Sequence, residues 1–167
     1  MREFWKTLGI LVFLFLLALF LTRLSSPKQI DDVSPQMNCD TKYLEKSDML
    51  WVVPRYDNIP ISANQTWCKY ILSLNKTLGL HGVYHTYNEF STDRDALYLV
   101  NGMIEFENCF GYQPTMFKAP QLEISNNNKD LIDKAGLKLR SWLNQITSKV
   151  YHCDNSGYLP NWFVNLY

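Results

Sequence analysis

Two of the three histidines in the chain, His81 and His85, lie four residues apart at the end of an apolar segment. Gly79 and Gly82 flank the first of them, which disfavours a helix interior and indicates a short strand that runs into a loop. A neutral imidazole is the commonest protein ligand for divalent transition metals. The pair could therefore take two positions of a zinc-like site, although histidines at this spacing also occur as structural residues. A metal site would need a carboxylate to join them.

Adjacent carboxylates occur at Asp31 and Asp32, between Ile30 and Val33. This arrangement is typical of a strand end that delivers carboxylates into a loop. An ordinary polar turn also explains the aspartate pair when it is taken alone. A third polar position, Lys118, follows another short apolar segment.

These residues fall where predicted strands lead into loops. Strands are predicted over 48–53, 80–84, 115–118, 137–142 and 149–152. Between them, one predicted helix is capped by Asn64 and ended by Gly79, a second extends from a capping box at 92–95 to Gly111, and a third covers 128–135. Alternating strands and helices indicate parallel βα units. Reactive residues of such sheets collect at the carboxyl ends of the strands, so we expect the aspartates, the histidines and Lys118 to lie close together.

The bulk composition limits the class of function. The chain has 167 residues, enough for one domain of average size, and its formal net charge is zero. No basic surplus is present to neutralise phosphates, so nucleic acid is not expected as a partner. The cysteines contain no C-x-x-C pair, which disfavours a structural zinc knuckle, and in an oxidising compartment they could form two disulfides in any of three pairings. They are Cys39, Cys68, Cys109 and Cys153.

The N-terminus is strongly apolar. Residues 8–21 carry no charge, and the apolar segment extends over 4–24 if Lys6 and Arg23 reach toward lipid head groups. Because no A-x-A-like cleavage site follows, we predict an uncleaved membrane anchor over 1–24, with a cleaved signal and a secreted chain as the alternative. The domain at 25–167 would then be extracytoplasmic or lumenal.

The order of these motifs resembles the polysaccharide deacetylase superfamily, carbohydrate esterase family four and its relatives. That superfamily carries an Asp-Asp motif at the first strand, an H-x-x-x-H motif further on, and a proline-containing motif with a basic residue after Phe. The matching segments here are 30–33, 81–85 and 117–120. The resemblance extends over about residues 29–142 and is closest to an uncharacterised, deacetylase-like branch.

This resemblance implies an α/β fold, a distorted (β/α) barrel with fewer strands than a TIM barrel. The short chain leads us to expect an incomplete barrel that lacks the final strands. The resemblance also implies a divalent metal, with zinc the first choice, held by Asp32, His81 and His85. The implied activity is a metal-dependent amide hydrolase that removes acetyl groups from an N-acetylated sugar or glycan polymer, with Asp31 as the general base.

The remaining roles fit the superfamily less closely. Lys118 stands where the superfamily has an Arg that orients the base, and a Lys is not expected to reproduce a bidentate contact. His152 is the one later histidine available to protonate the leaving amine, although its context does not match the superfamily motif. Tyr84, Tyr87 and Trp142 could stack against sugar rings. The alternatives are a catalytically degenerate glycan-binding or interaction module on the same fold, and an anchored protein whose histidines complete a polar core.

Overall fold

Six short strands, all parallel, form one sheet in the computed structural model, which describes residues 1–166. In chain order they are β1 (Gln29–Val33), β2 (Met49–Val52), β3 (Thr77–His81), β4 (Met116–Lys118), β5 (Lys138–Arg140) and β6 (Val150–His152). Their order across the sheet is β5-β4-β3-β2-β1-β6. Among the described residues no ladder joins β5 to β6, so the barrel is open on that side. The predicted α/β class and distorted barrel are confirmed.

Helices connect or flank these strands. Within residues 1–166 the α-helices are α1 (Arg2–Ser25), α2 (Thr41–Lys46), α3 (Gln65–Ser73), α4 (Ala96–Phe110), α5 (Asn126–Lys134), α6 (Leu143–Thr147) and α7 (Asn161–Leu166). Helices α2, α6 and α7 were not predicted, because five or six residues are too few to show an apolar repeat. Helix α1 has 24 residues, and an 18-residue window within it has a mean hydropathy of 2.4, so it is long and apolar enough for a membrane anchor or a signal sequence.

Helix α3 is shorter than predicted. The Asn64 side chain caps it as expected and accepts the Trp67 N–H at 3.0 Å. The helix ends at Ser73 rather than at Gly79, because Asn75 adopts a positive φ of 52° that a right-handed helix cannot continue. The apolar Leu78, which the helical spacing assigned to α3, therefore belongs to β3.

Helix α4 begins later than the predicted capping box. Asp95 is its N-cap and accepts the Tyr98 N–H at 2.8 Å, so the helix starts at Ala96 instead of just after Thr92. Its end agrees with the prediction: Gly111 adopts a positive φ of 79° directly after Phe110.

Trp51 on β2 ties the central strands together. Its indole N–H donates to the Gln29 Oε1 of β1 at 2.7 Å. On the other side its ring covers Gly79 of β3, where an added Cβ would lie 2.4 Å from a ring carbon. The ring is fully buried, so any residue larger than glycine at position 79 would displace it from the sheet.

Two disulfides, Cys39–Cys153 and Cys68–Cys109, select one of the three possible pairings. The first joins the segment after β1 to the residue after β6, and the second joins α3 to α4. Because the second bond spans 41 residues of sequence, we expect Cys68→Ser/Cys109→Ser to lower the free energy of unfolding by about 3–4 kcal/mol. Urea denaturation of the detergent-solubilised chain measures this difference. A loss below about 1 kcal/mol would show that the bond does not restrain the unfolded chain as expected.

Candidate active site

A backbone irregularity in β1 directs both aspartates into one cavity. Neighbouring residues of a regular strand point to opposite faces of the sheet. Asp32 instead has a positive φ of 64°, and the β1–β2 register shifts between Ile30 and Val33. As a result, the Asp31 and Asp32 side chains both line a cavity of about 680 Å³. Both side chains are buried.

The other polar residues of the cavity come from the ends of strands. His81, Lys118 and His152 are the last residues of β3, β4 and β6. Because all six strands are parallel, these carboxyl ends meet at the same edge of the sheet as the aspartates. The predicted convergence of the three motifs is therefore present in the structure.

Asp32 lies between two imidazole rings. Its Oδ1 is 3.2 Å from His81 Nε2 and 2.8 Å from His85 Nε2. His81 Nδ1 contacts the Lys118 carbonyl at 2.9 Å, and because a carbonyl can only accept, Nδ1 carries the proton and Nε2 is left to face Asp32. One ligand atom of each of the three residues lies within 4.8 Å of the others. This donor set fits a divalent metal with open coordination positions.

The charge balance of this group favours a cation. Burial alone would raise the pKa of Asp32, but hydrogen bonds and charges from His81 and His85 lower it far below its usual value. Burial alone would lower the pKa of His85, and the Asp32 carboxylate raises it on balance. Asp32 therefore stays ionised in a buried position, where either a protonated imidazole or a bound metal ion supplies the balancing positive charge.

Asp31 forms a buried ion pair with Lys118. Lys118 Nζ lies 2.8 Å and 2.6 Å from the two carboxylate oxygens, and Lys118 is fully buried. The single nitrogen of Lys118 contacts both oxygens, but it lacks the planar pair of donors with which an Arg makes a bidentate contact. The Gln145 amide lies 3.5 Å from Asp31 Oδ2.

His152 faces the same carboxylate. Its Nε2 is 3.5 Å from Asp31 Oδ2. Burial lowers the pKa of His152 and outweighs the charges of Asp31 and Asp32, which raise it, so the ring is neutral at pH 7. Its Nδ1 is buried and has no hydrogen-bond partner among the described residues. A neutral imidazole in contact with a cavity can take up a proton and pass it on.

The three predicted sugar-stacking residues lie elsewhere. Tyr84 packs against Tyr98 with ring centroids 5.4 Å apart, and Tyr87 is 85% exposed. Trp142 is exposed at the start of α6. None of the three lines the cavity formed by the described residues. Its aromatic wall is Tyr158, which no sequence motif marks.

Glu89, which sequence analysis missed, holds the loop that carries His85. It is fully buried, its Oε1 accepts the Val83 and Tyr84 N–H groups at 3.0 Å and 2.9 Å, and its Oε2 accepts the His85 N–H at 3.0 Å. The Tyr98 hydroxyl also donates to Oε1, at 2.7 Å. The available signal was a carboxylate that is the first charged residue after the second histidine.

We expect Glu89→Gln to weaken metal binding about 10–100-fold, because a side chain that orients a ligand has effects of this size. The amide nitrogen cannot accept a backbone N–H, so we also expect a loss of stability of about 1–3 kcal/mol. Competitive zinc titration and thermal unfolding measure the two effects. The control is Glu105→Gln, whose carboxylate contacts Arg55 and Ser62 outside the cavity. Unchanged zinc affinity in the Glu89 variant would contradict the prediction.

Ser156, a second residue that sequence analysis missed, contacts the candidate metal ligand Asp32 directly. The Ser156 hydroxyl donates to Asp32 Oδ2 at 2.7 Å, on the oxygen that does not face the histidines. Ser156 follows the short helical turn Cys153–Asn155 after β6 and has no sequence motif around it. Its hydrogen bond orients the carboxylate so that Oδ1 points to the histidines.

No protein-family model matches the sequence, and no curated protein matches it. Solved structures share its fold. A family four carbohydrate esterase pseudoenzyme from Bacillus anthracis matches 71% of this chain and 44% of its own, with a TM-score of 0.54 and 15% identity. A family 4 carbohydrate esterase from Streptomyces lividans, in complex with acetate, matches 70% of this chain and 62% of its own, with a TM-score of 0.52 and 14% identity.

A third similar structure is a peptidoglycan N-acetylglucosamine deacetylase, with a TM-score of 0.55 and 12% identity over 70% of this chain and 55% of its own. The chain thus spans 44% to 62% of the length of these three structures. At such low identity the comparison concerns the fold. That fold is shared by a carbohydrate esterase, a deacetylase and a pseudoenzyme.

Proposed function

We propose that this protein is a metal-dependent amide hydrolase that removes acetyl groups from an N-acetylated sugar or glycan. The observation that carries the proposal is the meeting of Asp31, Asp32, His81 and His85 in one cavity, at the carboxyl edge of a deacetylase-type sheet. This set contains a carboxylate and two imidazoles for a metal, and a separate carboxylate for proton transfer.

The metal would be held by Asp32, His81 and His85, and their nitrogen and oxygen donors suit zinc. When bound, the ion would supply Lewis-acid chemistry that polarises the substrate carbonyl. The Lys118 carbonyl and the Ser156 hydroxyl hold two of these ligands in orientation.

The protein's own residues would move the protons. Asp31 is the general base that takes a proton from the attacking water, and Lys118 holds it in place. The proton can pass to His152 Nε2, 3.5 Å from Asp31 Oδ2, and from there to the amine nitrogen as its bond to the acetyl carbon breaks. Because the pKa of His152 is lowered, its protonated form gives up the proton readily. The products are acetate and the free amine.

We propose that α1 stays on the mature chain as an anchor over residues 1–24 and that residues 25–167 form the catalytic domain outside the cytoplasm. The absence of a charge from residues 8–21 and the absence of fully buried residues from the helix support an anchor. Two disulfides support an oxidising compartment. Cleavage of the helix would instead give a secreted protein.

A second candidate function is a glycan-binding module without catalysis. It is favoured by the ion pair of Lys118, whose ammonium contacts both oxygens of Asp31 and so occupies lone pairs that a base would use. In this case the cavity would bind an N-acetylated glycan and release it unchanged.

Acetate release from N-acetylated chito-oligosaccharides distinguishes the two functions. We expect the zinc-loaded full-length chain to release acetate, and a chelator to stop the release until zinc is restored. Saturable binding of the oligosaccharide with no acetate under zinc, cobalt or manganese would instead establish the binding module.

A further inference from the structure

The candidate active site lies very close to the end of α1. The helix ends at Ser25 and β1 begins at Gln29, with only Ser26, Pro27 and Lys28 between them. Six residue steps separate Ser25 from Asp31, which even a fully extended chain would cover in about 20 Å. If α1 spans a bilayer, the catalytic carboxylate therefore lies within about 20 Å of the point where the chain leaves it.

Direct contacts place α1 against the wall of the cavity. The Arg23 guanidinium, in the last turn of α1, donates to the Gln145 and Ile146 carbonyls of α6 at 3.1 Å and 3.0 Å. Arg23 also lines the cavity beside Asp31. The Gln145 side chain reaches Asp31 Oδ2. Helix α6 therefore connects the membrane helix to the reacting carboxylate through a continuous set of contacts.

The residues around this side of the cavity are apolar and exposed. Helix α6 presents Leu143 at 52% and Ile146 at 41% exposure, with Trp142 directly before them at 57%. In the lining of the cavity, Tyr158 is completely exposed and Leu159 is 44% exposed, and Arg23 lines it as well. Aromatic and aliphatic side chains exposed beside the end of a membrane helix are typical of the interface between lipid and water.

We infer that the cavity opens onto the bilayer surface and receives the N-acetylated amino-sugar headgroup of a membrane glycolipid, delivered from the same membrane that holds α1. This inference rests on the proposed hydrolase function and on α1 acting as an anchor. The apolar residues of α6 and of the Tyr158–Leu159 wall would contact lipid, while Asp31 and His152 reach the sugar amide. Arg23 adds positive charge where lipid head groups carry phosphate.

Spin labels on the full-length chain in phosphatidylcholine nanodiscs test the placement. We expect a label at Leu143→Cys to show the oxygen accessibility of the lipid interface. The matched control is Leu97→Cys on α4, which is equally apolar and 66% exposed but lies on a different helix, and its label should remain aqueous. Equal aqueous readings at both positions would overturn the inference.

The same nanodiscs test the substrate when they contain a few per cent of N-acetylglucosaminyl diacylglycerol. We expect a label at Leu159→Cys to lose mobility with this lipid and not with its glucosyl counterpart. We also expect acetate to be released from the lipid at least about tenfold faster than from soluble N-acetylchitobiose, because the membrane raises the effective concentration of the lipid. The ratio of these two rates should fall about tenfold in Leu143→Ser/Ile146→Ser and stay unchanged in Leu97→Ser/Val100→Ser.

The two proposals fail in different ways. Equal or faster turnover of the soluble sugar, with an unaffected Leu159 label, would overturn the glycolipid inference and leave the hydrolase in place. Immobilisation of the Leu159 label by the N-acetylated lipid without any acetate would support the glycolipid inference and refute the hydrolase.

Discussion

Replacement of Asp31 by Asn is expected to lower the rate of acetate release by about a hundred- to ten-thousand-fold, the usual contribution of a general base. It should also lower the free energy of unfolding by about 3–5 kcal/mol, because it leaves the fully buried Lys118 ammonium without its counter-charge. Acetate release and urea denaturation of the zinc-loaded chain measure the two losses separately.

A double variant separates catalysis from stability. In Asp31→Asn/Lys118→Met the buried charge is gone along with its partner, and we expect most of the lost stability to return. Activity should stay as low as in Asp31→Asn, because the base is still missing. Recovery of activity with the second substitution would remove Asp31 from the mechanism, and so would full activity of Asp31→Asn itself.

Loss of both imidazoles is expected to abolish metal binding. We expect the wild-type chain, purified without a histidine tag, to carry about one equivalent of zinc and His81→Ala/His85→Ala to carry none. Zinc at a hundred times its dissociation constant should stabilise the wild type by about 2.7 kcal/mol and the variant not at all. Metal analysis and thermal unfolding with and without zinc provide the two readouts.

His152→Ala is the matched control for the metal site. His152 lines the same cavity but does not belong to the group of three candidate ligands. Zinc binding should therefore survive in this variant while acetate release falls. If the wild-type protein carries no zinc, the metal chemistry is ruled out and the glycan-binding module becomes the leading function. If His81→Ala lowers the free energy of unfolding equally with and without zinc, the histidines instead complete a polar core.

The convergence of the motifs was predictable because it follows from a general property of parallel sheets. Once Asp31, His81 and Lys118 are each assigned to the end of a strand, parallel pairing brings them to one edge. The positive φ of Asp32 was not predictable, because it depends on how β1 pairs with β2 rather than on the adjacent residues.

The contacts that support the site could not be found from local sequence. His152 was named as the candidate proton donor, but its contact with Asp31 depends on the pairing of β6 with β1 across more than a hundred residues of chain, and three-residue strands carry no signal of their partner. Ser156 acts through one hydrogen bond to a candidate ligand, and Glu89 acts through three hydrogen bonds to the backbone of the loop that carries His85. Trp142, chosen for its ring type alone, lies outside the cavity for the same reason: residue type does not fix position.

The Cys39–Cys153 disulfide makes the assembly of the proton-transfer pair depend on where the chain is. Cys153 directly follows His152, and Cys39 lies in the segment after the strand that carries Asp31, so the bond links the two sides of that pair covalently. In a reducing cytosol this link does not form. If the protein is the exported hydrolase proposed above, newly made chains would gain this link between Asp31 and His152 only after translocation.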